Sequence, residues 1–86
     1  MKTTLPKVLF VDDQAEVLDA LKVQVYEICV PHFAQDAESG LKIFEEEGPF
    51  TIVISDQILP GMNGADFLAK VIHRVPYCTT MLLTGH

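Results

Sequence analysis

With 86 residues, 49% of them apolar, the chain has enough hydrophobic mass for one small domain over residues 1–86 and too few residues for a second. Acidic residues number 12 against 6 basic ones, a net charge of −6, and the scattered Lys and Arg argue against a nucleic-acid backbone as a direct ligand of this segment. No apolar run reaches the length of a signal-peptide core or a membrane span, so the reading is a soluble, cytoplasmic protein without a membrane partner.

Val8-Leu9-Phe10-Val11 is a continuous apolar run that stops at Asp12-Asp13, the pattern of a buried strand with two acids at its carboxyl end. From Gln14 to Ile28 the period changes. Val17, Leu18, Leu21, Val25 and Ile28 share one helical face while Glu16, Asp19, Lys22 and Glu27 fall mostly elsewhere, which predicts an amphipathic helix laid on a sheet. Pro31 limits the next strand to a few residues around Val30 to Ala34 and, having no N–H, suits a sheet edge. Asp36 has N-cap character for a second helix that runs to about Glu47 with Ala37, Leu41 and Phe44 inward, and Gly48-Pro49 ends it.

Thr51 to Ile54 is a second run of β-branched residues; it delivers one carboxylate at Asp56 and then breaks at Pro60-Gly61. Asn63 reads as the cap of a third helix, with Asp66 in its first turn and Phe67, Leu68, Val71 and Ile72 facing inward. Pro76 closes that helix, and Thr79 to Thr84 forms a last apolar strand. Strands alternating with helices predict an α/β fold, a parallel sheet with right-handed crossovers and helices on both faces. Cys29 and Cys78 lie in apolar surroundings without a CxxC spacing, as expected of reduced, packed thiols.

Asp12, Asp13 and Asp56 thus end two different buried strands. In an open parallel sheet the working groups sit beyond the carboxyl ends of the strands, and neighbouring strands lie roughly 4.8 Å apart, so the three carboxylates crowd together. Either one of them takes up a proton or a hard cation neutralises them. An oxygen-only, partly hydrated donor set favours Mg²⁺ over zinc and leaves positions for water and a phosphate. Thr84 adds a hydroxyl at the end of the fourth strand. A carboxylate, a cation and a positioned hydroxyl suit in-line phosphoryl transfer, with Asp56 as the nucleophile that becomes an acyl phosphate.

Four motifs in order resemble the receiver domains of two-component response regulators. They are Val8-Leu9-Phe10-Val11-Asp12-Asp13, Ala37-Glu38-Ser39-Gly40-Leu41, Ile54-Ser55-Asp56 followed by Leu59-Pro60-Gly61-Met62-Asn63-Gly64, and Leu82-Leu83-Thr84-Gly85-His86. The resemblance covers nearly the whole chain. It implies a doubly wound, flavodoxin-like sheet of strand order 2-1-3-4-5. Asp56 would be the phosphoacceptor, serving a histidine kinase or a phosphotransfer protein in signalling rather than in enzymatic turnover. Asp13, Asp56 and the backbone carbonyl of Ile58 would be Mg²⁺ ligands, Asp12 a metal-site acid acting directly or through water, and Thr84 the switch hydroxyl. The output domain would lie outside this chain.

The family continues through a fourth helix, a fifth strand bearing a lysine that pairs with the phosphoryl group, and a fifth helix, whereas this sequence stops at His86 and Lys70 lies on a helix. The expectation is therefore an incomplete receiver, βαβαβαβ, that phosphorylates poorly by itself and leaves its last strand bare. In the family the residues at the positions of Ile58 and His86 influence how water reaches the acyl phosphate, and an apolar Ile58 implies slow self-dephosphorylation.

Plainer readings stand beside these. Asp13 with Glu16 forms a capping-box pattern. Thr84 alone is a residue of high strand propensity. His32, His73 and His86 share no spacing and read as surface or partly packed, and Glu45-Glu46-Glu47 as a solvated helix end. A second functional class is an association module that dimerises through the bare edge of the last strand. A phosphatase of the acid-nucleophile kind is weaker, because it calls for a second carboxylate where this chain has Ile58.

Overall fold

The computed structural model describes residues 4–84, so Gly85 and His86 of the last motif lie outside the described residues. The element order is β1 (Lys7–Val11), α1 (Ala15–Val25), β2 (Val30–Ala34), α2 (Ala37–Glu47), β3 (Ile52–Asp56), α3 (Gly64–Arg74) and β4 (Thr79–Leu83). All neighbouring strands pair in parallel, in the order β2-β1-β3-β4. This is the expected doubly wound fold, with Pro31 on the edge strand, where a missing N–H costs no ladder bond.

Strand alternation divides the core in two. Leu9, Val11 and Val53 point to the side where α2 and α3 bring Ala37, Phe44, Phe67, Leu68 and Val71. Val8 and Phe10 point to the other, where α1 lays Leu18 with Leu21 and Val25 packed around it. Both faces of β1 are therefore covered, which is why its sequence is apolar from Val8 to Val11, after Lys7 at its start.

Three inward assignments from the periodicity are corrected. Val17, Ile28 and Ile72 are all exposed. At about 100° per residue, Val17 lies about 40° outside the stripe of Leu18, Leu21 and Val25, and Ile72 about 40° outside that of Phe67, Leu68 and Val71, so each is a flank position. Ile28 would join its stripe only in a longer helix. The helix stops at Val25, and both Ile28 and Cys29 donate their N–H to the Val25 carbonyl in a turn that tucks Cys29 into the core.

Two caps form as predicted: Asp36 Oδ1 accepts from Ser39 N at 2.7 Å, and Asn63 Oδ1 from Asp66 N at 2.8 Å. The capping box at Asp13 does not. The N-cap of α1 is Gln14, with no side-chain cap bond, and Asp12 Oδ1 accepts from Gln14 N at 2.9 Å, so the chain turns into the helix one residue later than the pattern suggests. The acidic end of α2 has no cation in its own last turn. Lys7 supplies one by donating to the Glu47 carbonyl, and Arg74 pairs with Glu45. Cys29 and Cys78 are free and buried, and burial pushes both thiols up. Among the described residues no helix is long and apolar enough to cross a membrane.

Candidate functional site

The register of the sheet assembles the site. Val11 of β1 sits opposite Ser55 of β3, so the residues that follow, Asp12 and Asp56, emerge side by side. Asp12 is held from the other flank as well, its N–H donating to the Ala34 carbonyl at the end of β2 at 3.0 Å. Asp12, Asp13 and Asp56 each place a carboxylate oxygen within 4.8 Å of the others. Asp12 and Asp56 are partly buried and Asp13 is exposed, so the cluster opens to solvent on one side.

The backbone of Asp56 is fixed from two directions. Ser55, wholly buried, donates its hydroxyl to the Asp56 carbonyl at 2.9 Å. The start of α3 comes so close that a Cβ on Gly64 would lie 2.1 Å from the same oxygen. Gly64→Ala must therefore lift α3 from the end of β3. It is expected to lose about 1–3 kcal/mol of stability, the cost of overpacking, despite the better helix propensity of Ala. Urea unfolding reads this, and an unchanged midpoint would show that the helix can shift at no cost.

Thr84 is exposed and comes one residue after the Asp56–Leu83 pair, at the carboxyl end of the neighbouring strand. Ile58, 61% exposed, lies in the loop after β3, and because its side chain is a hydrocarbon the only polar groups it offers the site are main-chain ones. The structure thus brings together the three acids and sets Thr84 just past the end of the adjoining strand. Lys70 is exposed on α3, and Lys7 belongs to the opposite end of the sheet.

The donor set suits a hard divalent cation. All donors are oxygens, and the mutual separations of the three carboxylates, within 4.8 Å, are of the order of the span of about 4.2 Å between opposite ligands at about 2.1 Å per Mg²⁺–O bond. Sequence reasoning missed Gln57. Its N–H donates to the Leu83 carbonyl at 3.0 Å, its carbonyl accepts from Gly64 N at 2.9 Å, and its side-chain oxygen accepts from Ala65 N at 3.0 Å. The only signal was a polar residue placed directly after the acid.

No protein-family model matches the sequence. Solved structures do. A response regulator receiver domain from Clostridium thermocellum superposes with a TM-score of 0.87 at 30% identity, over 95% of this chain and 67% of that one. The chain belongs to the response-regulator receiver family. The signal receiver domain of an HD domain-containing protein from Pseudomonas fluorescens Pf-5 is 34% identical with a TM-score of 0.85, over 100% of this chain and 63% of that one. A curated relative, protein-glutamate methylesterase/protein-glutamine glutaminase 3 of Shewanella oneidensis, is 34% identical over an alignment of 86 positions that covers 92% of this chain and 24% of that protein. This receiver chain thus spans about two thirds of those solved structures and about a quarter of the curated relative.

Proposed function

We propose that the chain is a phosphoacceptor of two-component signalling. Asp56 takes a phosphoryl group from the phosphohistidine of a histidine kinase or a phosphotransfer protein. A carboxylate oxygen of Asp56 bonds to phosphorus in line as the P–N bond breaks, and the electron pair leaves on the donor imidazole. The observation that carries this reading is the convergence of three carboxylates within 4.8 Å at the carboxyl ends of adjacent parallel strands.

Asp12, Asp13, Asp56 and the Ile58 carbonyl would hold Mg²⁺, which when bound offsets the charge of the acids and of the incoming phosphoryl oxygens. Asp13 and the solvent-facing side of the cluster leave the entry path open. The Thr84 hydroxyl donates a hydrogen bond to a phosphoryl oxygen and so carries the state of Asp56 onto β4. The likeness to the receiver of an HD domain-containing protein and to part of a methylesterase supports a regulatory segment that controls an effector, without itself turning over a substrate. Two free, buried thiols favour a reducing, cytoplasmic setting. The test is incubation of the full-length protein with a small acyl-phosphate donor and Mg²⁺, followed by intact mass: failure to gain phosphate would falsify the reading.

A second reading has its own observation. Among the described residues the outer edge of β4 pairs with no strand, the strand carries no charged residue, and Met81 and Leu83 are 49% and 48% exposed. A second copy adding its own β4 there would cover both the open ladder and the apolar side chains. On this reading the chain sediments as a dimer that Met81→Lys dissociates. A monomer at high concentration would remove it.

A further inference from the structure

We infer that Gln57 is a positioning residue for the cation site, locking the loop that carries Ile58 between β4 and the start of α3. The inference rests on reading the acidic cluster as a cation site. The first turn of a helix exposes N–H groups that have no partner within the helix. In α3 those of Gly64 and Ala65 are taken by the main-chain carbonyl and side-chain oxygen of Gln57, and that of Asp66 by Asn63 Oδ1. Loop 57–63 is therefore closed at both ends on the same helical turn, and Gln57 N–H also ties it to Leu83, beside Thr84.

Within the loop, buried Leu59 anchors the middle, while Ile58 is 61% exposed. Its carbonyl belongs to the peptide it shares with Leu59, so its direction is set between two anchors, Leu59 after it and the hydrogen-bonded Gln57 before it. Removal of the Gln57 side-chain oxygen frees the Ala65 N–H and loosens the hinge on which the Ile58 peptide turns. The ordering of that peptide must then be supplied when the cation binds, which weakens binding. The residue type fits the place: an amide oxygen accepts the helix N–H without adding a fourth negative charge to Asp12, Asp13 and Asp56.

Calorimetric titration of the full-length protein with Mg²⁺ alone tests this. Gln57→Met, similar in length but without the oxygen, is expected to weaken binding about three- to tenfold, the value of one lost hydrogen bond. Gln57→Glu, which restores an acceptor, is expected to bind at least as tightly as wild type. A Met variant within about twofold of wild type, or a Glu variant weakened as much as Met, overturns the positioning role while leaving the cation site standing. A wild type that binds no Mg²⁺ overturns the cation site itself. If Gln57→Met does not fold, amide exchange on wild type decides. The Ala65 amide should be protected and become slower to exchange as Mg²⁺ saturates, and an unprotected or unresponsive Ala65 amide rejects the inference.

Discussion

Asp56→Asn is expected to lose all phosphate uptake from a small acyl-phosphate donor while remaining folded. The substitution keeps the shape of the side chain and removes the oxygen anion that would attack phosphorus, so the effect falls on chemistry and not on packing. Asp56 is one of three acids with oxygens within 4.8 Å, and each close pair of like charges costs about 1 kcal/mol even in water-like surroundings. Stability in the absence of Mg²⁺ should therefore hold or rise slightly, and the stabilisation that added Mg²⁺ brings to the wild type should shrink. Intact mass after donor treatment, with urea unfolding in the presence and absence of Mg²⁺, reads both halves. Phosphate that still attaches to the Asn variant places the acceptor elsewhere.

Phe67→Ala is expected to destabilise the fold by about 3–5 kcal/mol. Its ring is 0% exposed and sits where α3 meets α2 and the sheet: a Cβ built on Gly40 would lie 3.0 Å from the ring and 3.1 Å from Val11. Gly40 is thus the small residue that admits the ring, and its backbone cannot follow to fill the space left by truncation. For 86 residues the total stability is about 4–13 kcal/mol, so this one change removes a large share of it. The urea midpoint should fall with little change in slope, and a loss below about 1 kcal/mol would mean that the two helices collapse onto the void.

Much of the architecture was legible because local chemistry and global fold agree. β1 and β3 announce themselves as short apolar runs ending in acid, and Pro31 marks the edge strand. Asp36 and Asn63 are capping residues whose bonds form within three residues of themselves, so no tertiary information is needed to place them. The three acids of the site were legible for a related reason: parallel strands align their carboxyl ends, and acids that end two buried strands must then meet.

What the chain pattern left open were quantities that depend on neighbours. Periodicity ranks helix positions by angle but does not know how wide the contacted stripe is, so Val17 and Ile72 came out exposed. The helix start at Gln14 rather than Asp13 depends on Asp12 accepting from Gln14 N while its own N–H is held by Ala34, a contact across to β2. The role of Gln57 and the need for glycine at position 64 arise only when α3 is laid against the end of β3, where a helix terminus requires an acceptor and a main-chain oxygen leaves no room for a Cβ. Sequence by itself determined which residues carry the acids and which strands deliver them, because strand character and caps are local. The tertiary structure alone decided what holds those acids in place, because hydrogen bonds and close approaches between distant segments have no local signature.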